Sequence, residues 1–408
     1  MKMAETNRVV LRAPRYVLGE ISMDHTEIKG FAELVDERRM VPDAGMWGWG
    51  TVHRTELDTA TLAVRAGRLT LNAAGVEPGE VDAMVLCSTT FPGEVGAHGE
   101  LIASVLRGLG LDDVPVTGIT LNRCATLLTG LQTAATMVAA GRHRTVLVIT
   151  TDAVADESAR LADFALFSDG AAACLVSQRV DGALESYEWV ADVHAQDPAS
   201  MGRGTEISAD LAKAANQRLF AAAGIAVEEI DGLLHNNIFL PIVTMKEVQA
   251  GFAQSQLDTS NITRVGHCFA ADPLINLVDR QSAGTVRPGG LYLLASSVSG
   301  LRMCVLLRAD RPRPTHEGVT EVQKSVGADP TTLSWLQTTV REVLQLPESE
   351  DVGTRTLREL GASSLQTVGV QYRILQETSV SVEMSELIGS STVADLAVLV
   401  EERRPATA

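Results

Sequence analysis

From about Val9 to Arg308 the chain alternates unbroken apolar runs with helices rich in alanine and glycine, and this alternation restricts its fold more than any other feature. The runs Val81–Ser88 (VDAMVLCS), Arg144–Thr150 (RTVLVIT) and Ala171–Val176 lack the polar residue at every second position that a strand with one wet face carries. Runs of this length, bounded by Gly, Pro and Asp, predict parallel strands buried on both faces. Gly99–Leu109 and Cys124–Ala140 read as helices between them. The theme returns more loosely further on. Helices are predicted over Leu211–Ala223, Met245–Phe252 and Pro273–Ser282, and strands over Ile230–His235, Thr263–Val265, Tyr292–Ser296 and Met303–Arg308. The expectation is an α/β fold of two similar halves, residues 1–180 and 181–308, whose mutual sequence identity is too weak to call a repeat.

The alternation stops at Ala309. Residues 309–331 (ADRPRPTHEGVTEVQKSVGADPT) are rich in Pro, Gly and charge and have no apolar period, as in a linker. About 20 such residues reach at most roughly 70 Å when fully extended. Beyond them, Leu333, Leu336, Val340, Val343 and Leu344 recur at helical spacing, followed by stripes at Leu365, Val368, Tyr372, Leu375 and at Val393, Leu396, Leu399, Val400. Residues 332–404 therefore predict a separate all-α bundle of three helices.

Charge and cysteine usage exclude several function classes. A net charge of −17 argues against a nucleic-acid partner, which requires clustered Lys and Arg. No apolar run reaches the roughly 18–20 residues of a membrane span, and the N-terminal segment has no signal-like apolar core, so a cytoplasmic setting without a membrane partner is expected. The five cysteines (Cys87, Cys124, Cys174, Cys268, Cys304) show no CxxC spacing, so neither a disulfide framework nor a metal site is expected, and most read as small buried hydrophobes.

Cys124 differs from the other four. In GITLNRCATLLTGLQTA (Gly118–Ala134) an apolar strand runs straight into a helix with the thiol at the junction. A helix N-terminus and nearby cations favour the thiolate, which is what nucleophilic catalysis on a thioester needs, together with donors for the developing oxyanion. Further along, His235 ends an apolar strand, and His267 sits at another element boundary, with Cys268 and Asp272 close enough in sequence to take a third role instead. Asp169 in the FSDG turn reads as structural.

These residues resemble the ketoacyl-ACP synthase III branch of the thiolase superfamily over approximately residues 9–308. The resemblance is carried by the segment around Cys124, the LFSDGA stretch from Leu166 to Ala171 (compare LFGDGAGA) and Leu234-His-Asn-Asn237 (compare HQAN). Val265-Gly-His-Cys268 (compare GN[TS]) and Ala295-Ser-Ser-Val-Ser-Gly300 (compare AGFGAG) extend it. It implies a thiolase fold, two α/β halves with layered mixed sheets around central helices, and an acyltransferase of the 3-oxoacyl-ACP synthase III type. Cys124 is then the acylated residue, His235 its imidazole partner, residue 267 the third member and the backbone N–H of Ser299 an oxyanion donor. A homodimer and acyl-CoA or acyl-carrier substrates are implied as well. The sequence departs from the pattern in three places. His267 stands where that branch carries Asn, Ala125-Thr126-Leu127 replace Ser/Thr-Gly-Phe, and Ser-Ser-Val-Ser-Gly replaces the glycine-rich oxyanion segment. A His–His pair is the arrangement of the elongating ketoacyl synthases.

In the bundle, Leu360-Gly-Ala-Ser-Ser-Leu365 and Thr392–Ala397 (TVADLA) resemble the acyl- and peptidyl-carrier signature. The resemblance makes Ser364 the attachment point of 4'-phosphopantetheine and a phosphopantetheinyl transferase a partner. Alternatively, Ser363 and Ser364 serve only as helix N-caps. Three functions remain at this stage. The first is condensation of acyl-Cys124 with a malonyl-type or carrier-bound thioester in a specialised polyketide or fatty-acid-like pathway. The second is acyl transfer without decarboxylation to an amine, a hydroxyl or the carrier thiol. The third is a silent scaffold that docks carriers. Trp47, Trp49 and the Met201–Glu206 region are candidates for shaping the acyl pocket.

Overall fold

The computed structural model describes residues 8–91, 93–179, 185–202, 208–311, 332–388 and 391–404. The first half contributes β1 (Val9–Leu18), β2 (Ile21–Asp24), α1 (Phe31–Glu37), α2 (Ala44–Trp47), β3 (Thr51–Arg54), α3 (Thr59–Ala74) and β4 (Ala83–Cys87). It continues with α4 (Val95–Leu109), β5 (Val116–Ile119), α5 (Thr126–Ala139), β6 (Thr145–Asp152) and β7 (Gly170–Gln178). The second half supplies β8 (Ser186–Gln196), α6 (Ala209–Ala223), β9 (Ile230–Leu234), α7 (Leu240–Gln249), α8 (Ser260–Arg264), α9 (Asp272–Ser282), β10 (Leu291–Val298) and β11 (Leu301–Arg311).

Nine of these strands form one sheet in the order β5-β4-β6-β7-β1-β8-β11-β10-β9, and the order is nearly a mirror about the β1–β8 joint. In each half the first strand pairs antiparallel with the last (β1 with β7, β8 with β11). That last strand pairs antiparallel with the one before it (β7 with β6, β11 with β10). Further out on each side lies a parallel pair, β6 with β4 and β10 with β9. The outer parallel pair β4–β5 has its counterpart in a single bridge between Leu233 and Leu257. The expected parallel strands are thus a mixed sheet. Burial on both faces, the physical content of the apolar runs, holds for antiparallel strands equally when helices cover both sides.

Alternate residues of β4 serve two different cores. Ala83, Val85 and Cys87 join the cluster around α5 and α9, whereas Met84 and Leu86 join the one under α3 and α4. The central helix α5 lies close on β4, because a side chain at Gly130 would run into Cys87 Sγ. Its leucines 127, 128 and 131 and Ala134 and Val138 bury the sheet-facing side completely or nearly so. Two expectations fail locally. Thr263–Val265 is not a strand but the end of α8, where Val265 N donates to Asn261 O (2.9 Å). The helix expected over Met245–Phe252 starts earlier, at Leu240, with Pro241 in its first turn, where a missing N–H costs nothing.

The predicted linker starts later than Ala309, because β11 runs to Arg311; the rest of it, 312–331, lies outside the described residues, as does the 180/181 division of the halves. Among the described residues the C-terminal bundle has four helices, where three are expected: α10 (Thr332–Leu344), α11 (Ser364–Thr378), the short α12 (Met384–Ile388) and α13 (Val393–Arg403). Leu336, Val340, Val343, Val370, Ile374, Val393, Leu396 and Val400 form its core. Leu365 and Tyr372, expected in that core, instead pack against Met46, Trp47 and Phe239 of the first domain. Trp47 and Trp49, 0% and 4% exposed, belong to the cluster on which Leu365 and Tyr372 pack. Of the Met201–Glu206 region, residues 203–206 lie outside the described part.

Candidate active site

Cys124 sits in a single 3-10 turn, Arg123–Ala125, that leads from β5 into α5, and its side chain is half-buried. Arg123 has a left-handed backbone (φ 50°), a conformation that costs a non-glycine residue about 1 kcal/mol and must be held by its surroundings. Two contacts hold it: Arg123 Nη2 donates to Ser299 O at 2.5 Å, and Ser296 Oγ donates to Cys124 O at 2.9 Å. The β10–β11 hairpin of the second half thus clamps the turn of the first half that presents Cys124.

His267 Nε2 lies 3.3 Å from Cys124 Sγ, and its Nδ1 lies 2.5 Å from Asp272 Oδ2. Both His267 and Asp272 are fully buried. Burial opposes a charge on the imidazole, but the Asp272 carboxylate and the sulfur more than offset it, and the His267 pKa is raised to about 10. The charged ring therefore stands directly against the Cys124 sulfur. Asp272 opens α9 and does more than pair with His267. Its Oδ2 accepts from Asn237 N and its Oδ1 from Cys268 N, both at 2.7 Å. One carboxylate therefore joins the loop after His235 to the loop that carries His267. Of the three candidates for the third role, His267 contacts the sulfur and Asp272 supports it. Cys268 is buried, and burial pushes its thiol well up.

His235 is arranged differently. Its Nδ1 lies 2.8 Å from Asn236 O, an atom that only accepts, so the ring proton is on Nδ1 and Nε2 carries a lone pair. Burial, partly offset by that hydrogen bond, lowers its pKa and keeps it neutral. Nε2 is buried with no hydrogen-bond partner among the described residues. The histidine reaches the neighbourhood of Cys124 through Asn236, whose Oδ1 accepts from Ser297 N (3.2 Å) and lies 2.6 Å from Ser296 Oγ, sharing that hydroxyl's single proton with Cys124 O. Ser299 lies in the β10–β11 turn, 2% exposed, with Oγ donating to Ser200 O at 2.7 Å. Asp169 is structural: it accepts from Thr55 N and Val154 N, both at 2.8 Å, and faces the buried Arg160.

Behind the hairpin lies a buried ion cluster that the sequence did not suggest. Arg302 Nη1 donates to Glu247 Oε1 (2.7 Å) and to Ser297 Oγ (2.9 Å), and Lys246 Nζ lies 3.0 Å from the same carboxylate oxygen. Burial alone raises a carboxyl pKa, yet Arg302 and Lys246 more than compensate and hold Glu247 at about 2. This pair ties α7 to the turn that clamps Cys124.

Residues 120–193 match the family model described as 3-oxoacyl-[acyl-carrier-protein (ACP)] synthase III, and residues 334–400 match the phosphopantetheine attachment site model. The beta-ketoacyl-[acyl-carrier-protein] synthase III of Geobacillus kaustophilus is 24% identical over 282 residues, covering 65% of this chain and 84% of its own. The chain is ketosynthase III-like and carries its own phosphopantetheine-attachment domain. The ketosynthase III-like part superposes on the 3-oxoacyl-(acyl carrier protein) synthase III FabH of Pseudomonas aeruginosa PAO1 with a TM-score of 0.63. That match has 20% identity over 75% of this chain and 100% of the other. The acyltransferase ChlB3 gives a TM-score of 0.64 at 17% identity, over 75% of this chain and 98% of its own. At these identities the superpositions show the thiolase fold.

The carrier domain also fits its cofactor at the level of single residues. The two serines before α11 have different surroundings. Ser363 is the cap, its Oγ accepting from Gln366 N (3.2 Å) while Gln366 Oε1 accepts from Ser363 N (3.0 Å). Ser364 is the first residue of the helix and is exposed. An exposed hydroxyl at a helix N-terminus, with backbone N–H groups facing a phosphate, suits an attached phosphopantetheine. Among the described residues no cluster of His, Cys, Asp or Glu is arranged to hold a metal, and no helix is long and apolar enough to cross a membrane.

Proposed function

We propose that this protein is a ping-pong acyltransferase in which Cys124 takes an acyl group from a thioester and passes it to a nucleophile, with His267 moving the proton and Asp272 holding His267. The observation that carries this reading is the buried relay from Sγ through Nε2 and Nδ1 to a carboxylate, at 3.3 and 2.5 Å. In the first half-reaction Sγ attacks the thioester carbonyl, the C–S bond to the donor breaks, and the departing sulfur takes the proton from Nε2. The imidazole is then neutral, its Nδ1–H still on Asp272. In the second half-reaction the acceptor gives its proton to Nε2 as it attacks, and Cys124 leaves as thiolate beside a charged imidazole. The relay is thereby restored, as in Ser-His-Asp and Cys-His-Asn enzymes. We assign the developing oxyanion to the Ser299 turn, through its backbone N–H, because Arg123 fastens that turn to the one presenting Cys124.

The attachment domain supplies, once modified at Ser364, a thiol able to hold an acyl group. Acyl-CoA or an acylated carrier is the donor, and a phosphopantetheinyl transferase is a required partner. A homodimer and a role in specialised metabolism go with the family likeness.

Decarboxylative condensation is the second reading, in which the buried Nε2 of His235, without a hydrogen-bond partner among the described residues, would face the enolate. Stabilising the enolate that forms as CO2 leaves takes N–H donors, and a neutral His235 whose Nδ1–H is donated to Asn236 O presents a lone pair at Nε2, which favours transfer over condensation. The test is to give the holo protein an acyl-CoA together with carboxyl-labelled malonyl-CoA, or with amine and alcohol acceptors. Acyl-Cys124 that turns over to acceptors without labelled CO2 supports transfer. Labelled CO2 release that depends on Cys124 overturns it.

A further inference from the structure

We infer that the face built by α2, α7 and the loops that flank them is a docking site dedicated to the chain's own carrier, and that thioester exchange between the Ser364 arm and Cys124 takes place from this docked position. The inference rests on the acyl-transfer reading and adds the identity of one substrate, the in-chain carrier thioester.

Helix α11 is buried on two sides. Val370 and Ile374 enter the bundle core. Leu365, Gly369, Tyr372, Arg373 and Gln376, spaced i, i+4, i+7, i+8 and i+11, form a second stripe toward the ketosynthase III-like domain. Leu365 and Tyr372 pack on the cluster of Met46, Trp47 and Phe239. A side chain at Gly369 would stand 2.5 Å from Met46 Cε, so glycine permits the close approach. Arg373 Nη2 lies 3.1 Å from Asp43 Oδ2, and Gln376 Nε2 lies 3.3 Å from Gln254 Oε1. Off the helix, Gln249 Nε2 donates to Val382 O at 3.3 Å, and Val41 touches the cores of both domains. A carrier that met its partners only in passing would leave Leu365 and Tyr372 in water; here they have a matching floor.

That floor backs onto the active site. Leu166, in the same cluster as Trp47 and Phe239, accepts from His267 N at 2.7 Å. Phe239 N donates to Phe164 O at 2.8 Å, and the Phe164 ring lies 6.0 Å from the His267 ring. The docking face and His267 are therefore two sides of one wall, and Ser364 stands beside Leu365 at the end of the stripe. The sign of the ion pair sets specificity. The domain presents a carboxylate, Asp43, and the carrier presents a cation, so an acidic carrier without that Arg meets like charge at this point. Tethering adds an effective concentration on the order of mM without any new contact. In the exchange, the bond from Sγ to the acyl carbon forms, the bond from the acyl carbon to the arm sulfur breaks, and the His267 proton goes to the arm sulfur.

The test uses the full chain with Asp43→Arg, Arg373→Asp and the double swap. In the unmodified protein, hydrogen exchange of residues 31–49 and 240–249 is expected to rise in each single variant and return toward wild type in the double. In the holo protein, the probe is whichever of acetyl-, hexanoyl- and benzoyl-CoA acylates Cys124 fastest. Transfer of that acyl group from Ser364 to Cys124 is followed by peptide mass spectrometry and expressed relative to direct acylation by the free CoA ester in the same variant. Singles slower by about 10-fold or more, with recovery in the double, support the docking site. Direct acylation with swap-insensitive arm transfer overturns the site while leaving the acyl-transfer reading standing. No acylation of Cys124 by any donor overturns both.

Discussion

Replacing Asp272 with Asn tests the relay at its least replaceable point. Three donors converge on this carboxylate: Asn237 N and Cys268 N at 2.7 Å, and His267 Nδ1 at 2.5 Å. Asparagine keeps one acceptor oxygen and turns the other into a donor, so at least one of the three faces a donor, and His267 loses its counter-charge. Removing one partner of a buried charged pair costs about 3–5 kcal/mol, and a loss of that size from the reactive charge state slows acylation by about 10²- to 10⁴-fold. The assay is alkylation of Cys124 by iodoacetamide across pH, read by peptide mass spectrometry. Cys87, Cys174, Cys268 and Cys304 form a silent background, because burial pushes each of those thiols up. In wild type Cys124 Sγ lies 3.3 Å from an imidazole that Asp272 keeps charged, and alkylation is expected to be faster than in Asp272→Asn at each pH below about 10, where His267 loses its proton. Superimposable profiles for the two proteins would refute the reasoning.

The same pair links stability to pH. His267 is raised to about 10 in the folded chain and lies near about 6.5 when unfolded. Between these values the folded state holds the extra proton, so stability falls as pH rises. The contribution is complete below about 6.5 and gone above about 10; urea midpoints across this window should decline in wild type and flatten in Asp272→Asn. Arg302→Met should cost about 3 kcal/mol in urea unfolding, the low end for a broken buried pair, because Lys246 stays 3.0 Å from Glu247. Ser364→Ala should abolish the mass gained with a phosphopantetheinyl transferase and CoA. Ser363→Ala should keep that gain and lose about 1 kcal/mol of cap stabilisation in thermal unfolding of the carrier domain.

What the sequence revealed and what it hid have physical causes. Cys124, His235 and His267 stand out in the sequence as candidates because each sits where a strand or loop passes into a helix, and the LGASSL context points to Ser364. Asp272 was visible as an acidic residue five positions after His267, but its role depends on which way the start of α9 points, which no local pattern encodes. The Glu247–Arg302 pair was hidden for a simpler reason: the residues are 55 positions apart, each on an element that reads as ordinary helix or strand. The antiparallel direction of β6–β7 is not visible in the sequence, since burial on both faces erases the alternation that marks antiparallel strands. Leu365 and Tyr372 read as part of the bundle core because a helix with two apolar faces looks, in one dimension, like a helix with one broad face.

The near-mirror strand plan has a chemical consequence. The sulfur follows β5 in the first copy of the plan, while the imidazole and carboxylate precede and open α9 in the second. Under the proposed mechanism neither copy holds a working set, so reactivity belongs to the joint and not to either module. The β1–β8 seam, with the hairpin clasp on Arg123, is then the adjusting screw of the sulfur–nitrogen gap. A change that tilts one module against the other by a few degrees would disarm the enzyme with every reactive atom still present.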